Sequence, residues 1–379
     1  MDFDFTDDQE MLRDSVRRWV DKGYDFERRR AIVKQGGFSR DAWGELAGLG
    51  LTGLYVPEAH AGMGFGPVDA MVVMEELGRG LVVEPYANGA LVSAALLAHA
   101  PAAAQAVWQP KIASGEALVV LAHQERAARY RLNHVATSAK AAGSAWTVSG
   151  AKSIVPVGDR ADAFIVPARV SGAADAPEGI ALFLVERGAA GVTTRGYPTQ
   201  DGGRAAEVSF ANAPATLLVA AGEGHAALEH GVDVGIAAAC AEGVGAMDKL
   251  VALTVEYMNT RKQFGVPIAT FQALRHRIAD VKMQLELGRS MSYFASLKLG
   301  EPPAQRRRAL SQAKLQLGNS MRFVGQQCVQ LHGGIGVTDE YAGSHYFKRL
   351  TVLEMTFGDT MHHLGEVAAR MQDTAGVFA

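Results

Sequence analysis

The sequence predicts an α+β chain in three blocks: helices, then short strands, then helices again. Two changes of hydrophobic period carry this reading. Apolar residues recur at helical spacing to about residue 115, fall into short β-branched runs from about 116 to 218, and return to helical spacing beyond that. The third observation is a seam. Leu317, Met321, Val324, Cys328 and Leu331 step by four, three, four and three, the spacing of helix-against-helix packing. The expected domains are residues 1–115, 116–218 and 219–379, and a chain of 379 residues is long enough to support them.

In the first block, Thr6-Asp7-Asp8-Gln9 fits a capping box, in which the Thr6 oxygen and the Gln9 side chain satisfy opposite free amides. Met11, Val16 and Val20 continue as a helical stripe. Asp41 is the expected cap of the next helix, with Trp43, Leu46 and Leu49 on one face. Gly62-Met63-Gly64-Phe65-Gly66-Pro67 reads as a turn, and Met71, Met74, Leu77 and Leu81 as a further helical pattern. In the middle block, strands are expected around Val119, His134–Thr137, Trp146–Val148, Ile154–Val155, Phe164–Val166, Leu182–Val185, Val192–Thr194 and Val208–Phe210. Gly143, Gly150, Gly158, Gly172, Gly188 and Gly191 punctuate these runs, as in a small barrel or sandwich. In the last block, Val232–Met258 is long and rich in small residues, which predicts close helix packing; Phe271, Leu274, Ile278 and Val281 step by three, four and three.

Charge and composition exclude several functions. Lysine and arginine total 37 against 40 acidic residues, and no basic stripe marks a nucleic-acid surface. Met1–Phe5 is acidic and lacks the basic-then-apolar order of a signal peptide. No stretch of about 18 uncharged apolar residues is present, so a cytoplasmic enzyme without a membrane span is expected. Cys240 and Cys328 lie in apolar helical patterns and read as buried thiols. Adjacent helical residues point about 100° apart, so His362-His363 is not read as a metal pair, and no metal site is expected. Arg306-Arg307-Arg308 reads as a solvated helix start.

Two stretches bear on chemistry. In Arg261-Lys262-Gln263-Phe264-Gly265, arginine offers planar bidentate donors to a diphosphate, Phe264 a surface for a flat ring, and Gly265 a helix end, with Pro267 preventing continuation. The same residues also read as a plain helix C-terminus, where arginine suits the dipole. In Gln330-Leu331-His332-Gly333-Gly334-Ile335-Gly336, missing side chains expose backbone amides to phosphate or ribitol, or simply form a turn. Neither this glycine run nor Gly62-Met63-Gly64 fits a dinucleotide fingerprint, since no strand precedes and no helix opens in the right order.

With Phe271-Gln272-Ala273-Leu274 and Glu340-Tyr341 at matching order and spacing, these stretches resemble the acyl-CoA dehydrogenase family, and Val56-Pro57-Glu58 through Gly64 resembles its N-terminal domain. The resemblance spans nearly the whole chain. It implies an N-terminal helical domain, a central β-barrel and a C-terminal four-helix bundle. It also implies FAD as cofactor, acyl-CoA substrates, electrons leaving to an electron-transfer flavoprotein, and a tetramer built as a dimer of dimers. Carried over, the cofactor-binding residues are Arg261, Phe264, Phe271, Gln272, Gln330, Gly333 and Gly334.

Elsewhere the chain departs from the family pattern. Where the family has Thr-Glu-Pro and Gly-Ser-Asp, this sequence reads Ala122-His123-Gln124-Glu125-Arg126-Ala127-Ala128. After Gly150-Ala151-Lys152, Ile154 and Pro156 stand where the family places a tryptophan and a hydroxyl residue. Phe357, before Gly358, occupies the usual position of the catalytic glutamate, and a second known position falls near Gly235. Glu242 and Asp359 are the candidate carboxylates left, with Asp233 behind them. The expected activity is α,β-dehydrogenation of an acyl-CoA thioester, by a homotetramer or by an α2β2 enzyme in which this chain resembles the small subunit of the pimeloyl-CoA type. The alternatives are a non-catalytic binding or assembly subunit, and a flavin oxidase or monooxygenase on the same fold.

Overall fold

Thr6 opens the first helix as the capping box predicts. In the computed structural model, which describes residues 5–143 and 145–371, the Gln9 amide donates to Thr6 Oγ1 at 3.3 Å and the Thr6 amide to Gln9 Oε1 at 3.2 Å. Met1–Asp4, on which most of the N-terminal reading rests, lie outside the described residues. Helix α1 (Asp7–Gly23) buries Val16 and Val20 but leaves Met11 63% exposed, so its stripe is narrower than expected. Helices α2 (Phe26–Lys34) and α3 (Arg40–Gly48) follow. The cap of α3 is Ser39, not Asp41: Ser39 Oγ accepts from the Ala42 amide at 3.2 Å, and Asp41 falls in the first turn. Trp43 and Leu46 are buried, whereas Leu49 lies past the helix and is 37% exposed. Helix α4 (Pro67–Arg79) buries Met71, Met74 and Leu77 as expected. A π-helical turn (Ala87–Val92) runs into α5 (Ser93–Leu97), and α6 (Ala102–Ala113) completes the block.

The middle block is one 7-stranded sheet: β1 (Val119–Leu121), β2 (Ser138–Ala142), β3 (Ala145–Pro156), β4 (Ala163–Arg169), β5 (Ile180–Glu186), β6 (Val192–Pro198) and β7 (Arg204–Val219). The path β4–β2–β3–β7–β5 closes on itself through β5 pairing with β4, so the sheet is a small barrel with β1 and β6 added at its rim. Phe164, Phe183 and Val148 are fully buried in it. Two strand expectations fail for physical reasons. His134–Thr137 is not a strand, because the Ala136 and Thr137 amides donate to the Glu125 carboxylate instead of a ladder. Gly150 is not a turn but lies inside the 12-residue β3, at a bulge where a Cβ would meet Thr137 at 2.6–2.8 Å.

The last block begins with α7 (Gly224–Thr260), followed by a two-strand hairpin of β8 (Lys262–Gln263) and β9 (Val266–Pro267). Then come α8 (Gln272–Lys298), α9 (Pro303–His332), a 3-10 turn (Gly333–Val337), α10 (Ala342–Met355) and α11 (Thr360–Ala369). The seam residues of α9 are all buried, and α8, α10 and α11 each pack on α9. Close packing of α7 is borne out: a Cβ at Gly245 would come within 1.8 Å of the Glu75 carbonyl of α4. Both cysteines are buried and free. Arg306, read as solvated, is 8% exposed. The chain forms two compact units. One comprises residues up to Ala31, Pro67–Val82 and the chain from Ile236; the other comprises Ile32–Gly66 and Val83–Gly235. Among the described residues no helix is long and apolar enough to cross a membrane.

Candidate functional site

The two glycine stretches meet in the first unit. Helix α7 ends at Thr260, whose hydroxyl donates back to Glu256 O at 3.0 Å, and the Arg261 amide still reaches Tyr257 O at 2.8 Å. Gly265 therefore does not end the helix. Phe264 (φ 54°) and Gly265 (φ 83°) form the left-handed corner of the β8–β9 hairpin, where glycine is the favoured residue. Pro267 sits in β9. The Phe264 ring is 92% exposed and stands edge-on to Phe271, with centroids 6.0 Å apart. Met258, Ile268 and Leu331 form a buried cluster, with Tyr257, Leu274 and Ile278 packed on it. That cluster joins the hairpin and the start of α8 to the end of α9. Gly333 takes φ 64° and ψ −140°, and no atom lies within 4 Å of a Cβ built at Gly333 or Gly334. Arg261, Phe264, Phe271, Gln272, Gln330, Gly333 and Gly334 are all exposed. A cation at a helix end, open backbone at two glycines and accessible amide side chains fit the diphosphate and adenosine of a dinucleotide.

The barrel holds a pair that sequence reasoning did not single out. Lys152 Nζ, fully buried, donates to Glu125 Oε1 at 2.7 Å, and Glu125 also accepts from the Ala136 and Thr137 amides at 2.8 and 3.1 Å. Burial opposes the Glu125 charge, but Lys152 and these donors prevail and hold the carboxyl below its usual range. Burial, reinforced by Lys152, pushes His123 down to about 4. The signal was present in the sequence: an acid near the Thr-Glu-Pro place and a lysine in Gly-x-Lys. Beyond Lys152 the β3–β7 register slips again, and Ile154 sits in the bulge at φ 53°, 51% exposed. A β-branched residue in the left-handed region is strained, so the bulge is held by its surroundings. Pro156 pairs in register with Ala205.

Neither candidate carboxylate stands open. Glu242 is 5% exposed and accepts from Arg349 Nε at 2.5 Å, an ion pair between α7 and α10. Asp359 caps α11, accepting from the His362 amide at 2.7 Å. Asp233, the weaker candidate, is wholly buried. Phe357 takes φ 57° in a loop fastened from several sides. Lys314 Nζ donates to the carbonyls of Leu353, Glu354 and Gly358 at 2.9, 2.8 and 3.0 Å, and burial brings Lys314 down to about 8. His363 Nε2 donates to Phe357 O at 3.2 Å, and burial keeps that ring neutral, at about 2. His362 and His363 stand edge to face, and among the described residues no group of three or more potential ligands could hold a metal ion.

Residues 6–116 match the N-terminal domain of acyl-CoA dehydrogenases, 121–213 the middle domain and 222–372 the C-terminal domain. The acyl-CoA dehydrogenase FadE27 of Mycobacterium tuberculosis is 26% identical over 384 residues, spanning 99% of this chain and 100% of that protein. A solved structure described as the Tcur3481-Tcur3483 steroid ACAD superposes with a TM-score of 0.88 at 27% identity, covering 97% of this chain and 99% of that one. The ChsE4-ChsE5 complex from Mycobacterium tuberculosis superposes at 0.85 with 25% identity, covering 99% of this chain and 100% of that one. Matched from end to end in helical, barrel and helical segments, the chain belongs to the acyl-CoA dehydrogenase family, oxidoreductases that act on acyl-CoA thioesters with FAD as cofactor.

Proposed function

We propose that this chain is one subunit of a heteromeric acyl-CoA dehydrogenase. It supplies the grip on the adenosine side of FAD, and a second chain of the family supplies the flavin-ring side and the catalytic carboxylate. One contrast carries the proposal. Arg261, Gln330 and Gly333 are exposed, as a phosphate clasp would need, while Phe357, Ile154 and Pro156 stand at the positions that the resemblance assigns to a base, an aromatic and a hydroxyl. Desaturation of a thioester needs a carboxylate to take the α-proton, and Glu242 and Asp359 are engaged by Arg349 and by the α11 amides.

Bound FAD supplies the acceptor for the β-hydride. Arg261 would hold its diphosphate through charge-assisted N–H bonds, and the amides bared at Gly333 and Gly334 would donate to phosphate or ribitol oxygens. Gln330 and Gln272 would bond the same arm, with Phe264 and Phe271 packed against the adenosine. The assembly is an α2β2 tetramer, with a homotetramer as its competitor, and electrons leave to an electron-transfer flavoprotein. Two neighbours named as paired chains, Tcur3481-Tcur3483 and ChsE4-ChsE5, support a paired assembly.

The test is flavin absorbance per chain for protein purified alone and with a co-expressed second subunit. The chain alone is expected to hold little FAD and to turn over neither octanoyl- nor pimeloyl-CoA, and the pair to do both with its cognate thioester. Full FAD occupancy and turnover by the isolated chain reject the proposal. If no partner restores flavin, the engaged state of Glu242 and Asp359 favours the non-catalytic assembly subunit instead.

A further inference from the structure

Between the two halves of the clasp lies His332, a buried side chain to which the reading above gives no role. It is 3% exposed. Its ring centroid lies 4.7 Å from that of Tyr257 and 4.8 Å from that of Tyr341, tilted to them by 36° and 50°. Tyr257 belongs to the last turn of α7, and its carbonyl receives the Arg261 amide. Tyr341 precedes α10. Gln330 and Gly333 flank His332 in the chain. Three rings in tilted contact through His332 therefore connect the segment carrying the arginine to the segment carrying the glycines.

The hydrogen bonds fix the ring's tautomer. Nδ1 lies 2.7 Å from Cys328 O, and a carbonyl oxygen can only accept, so Nδ1 bears the proton. In the neutral ring Nε2 is then an acceptor, and the Tyr341 hydroxyl, 2.8 Å away, donates to it. The surroundings favour this state. Burial lowers the His332 pKa despite the bond to Cys328, and burial raises Tyr341 to about 12, so its hydroxyl keeps its proton. Glycines make the room. A Cβ at Gly343 would stand 2.7 Å from Tyr341 Cε1, and one at Gly336 would stand 2.9 Å from His332 Cβ.

We propose that His332, as its Nδ1–H tautomer bonded to Cys328 O and Tyr341 Oη, is the positioning residue that sets the Gly333–Gly334 turn against the Arg261 helix end, and so fixes the span of the dinucleotide clasp. The inference rests on the subunit reading above. It predicts a pattern that mere filling of space would not give. Glutamine at 332 can still accept from Tyr341, whereas asparagine can replace the Nδ1–H donor but is too short to reach Tyr341.

FAD titration of the full chain, co-expressed with its partner subunit and stripped of flavin, is followed by quenching of flavin fluorescence, with thermal unfolding of each variant alongside. His332→Gln is expected to bind within about twofold of the parent. His332→Asn and Tyr341→Phe should each weaken FAD by roughly fivefold to tenfold, the loss of one hydrogen bond. The double variant should lose no more than either single one, with little change in melting temperature. Unaltered affinity in His332→Asn and Tyr341→Phe overturns the proposal. So does a His332→Gln loss equal to that of His332→Asn, or an affinity loss that only tracks melting temperature. Failure of the parent pair to take up FAD removes the subunit reading and this inference together; parental binding with unaffected variants removes the inference alone.

Discussion

Glu75 on α4 shows how one buried carboxyl makes stability depend on pH. Burial raises it to about 7, against the opposing pull of Arg289 and Arg13 and with added repulsion from Glu76 and Asp248. Its contact with Arg289 is long, 3.4 Å, and Arg289 also serves Asp248 at 3.0 Å and Glu286 at 3.4 Å. Glu75 Oε1 is buried and has no hydrogen-bond partner. The folded pKa lies above the ordinary 4.5, so the folded state binds the proton more tightly than the unfolded chain. The contribution of Glu75 to stability is full below about pH 4.5 and is lost as pH rises through about 7. Glu75→Gln mimics the protonated acid and is expected to flatten the urea-midpoint profile between pH 5 and pH 8. At pH 8 it should exceed the parent by about 2–3 kcal/mol, an upper figure because 13% of the side chain stays exposed. Parallel profiles for parent and variant would assign the slope to another group. Arg261 makes a second residue-scale prediction. Arg261→Ala removes a charge-assisted phosphate contact and should weaken FAD binding by about 1.5–3 kcal/mol in a flavin titration, and undiminished affinity would take Arg261 out of the clasp.

At the scale of elements, legibility followed period. The α9 seam could be read because Leu317, Met321, Val324, Cys328 and Leu331 repeat over four turns and all end buried. Strand β3 could not, because its two bulges interrupt alternation at Gly150 and Ile154, and runs that read as separate strands are one. His134–Thr137 failed for a different reason: a distant carboxylate, Glu125, takes its amides, and no local pattern records that. Gly265 and Pro267 misled because the chemistry that stops a helix also makes a tight hairpin. The Glu125–Lys152 pair lies beside the misread β3 bulges and His134–Thr137. Lys152→Met should cost about 3–5 kcal/mol in denaturant unfolding by leaving Glu125 buried without its cation, and adding Glu125→Gln should restore much of the loss. A cost below about 1 kcal/mol would show that water or another group already satisfies Glu125.

For the whole molecule, the fold and the family were written in the sequence because they reside in hydrophobic period and in short motifs with fixed spacing. The ring-side positions were legible only as departures, and departures do not name the group that replaces what is missing. Two accounts of the chain now differ at Phe357. In the first, this chain once formed its own complete site and lacks only a base. The loop that would present a base persists, since Lys314 ties its Gly358 carbonyl to those of Leu353 and Glu354 at the end of α10, His363 holds the Phe357 carbonyl, and Glu354 accepts from the Thr360 amide and hydroxyl at 2.9 and 2.5 Å. A carboxylate placed at 357 would then find a prepared seat. In the second account the ring-side pocket of this chain is out of use, because Ile154 gives no broad aromatic face and Pro156 no donor, and the seat alone is not enough. Phe357→Glu separates them. On the subunit reading, the variant purified alone stays at background in dye-coupled turnover of octanoyl- and pimeloyl-CoA, and the co-expressed pair keeps its parental rate because the partner's carboxylate does the work. A base near its substrate contributes about 10²–10⁴-fold, so a Phe357→Glu chain that gains turnover of that size without a partner would establish a self-contained site and end the subunit proposal.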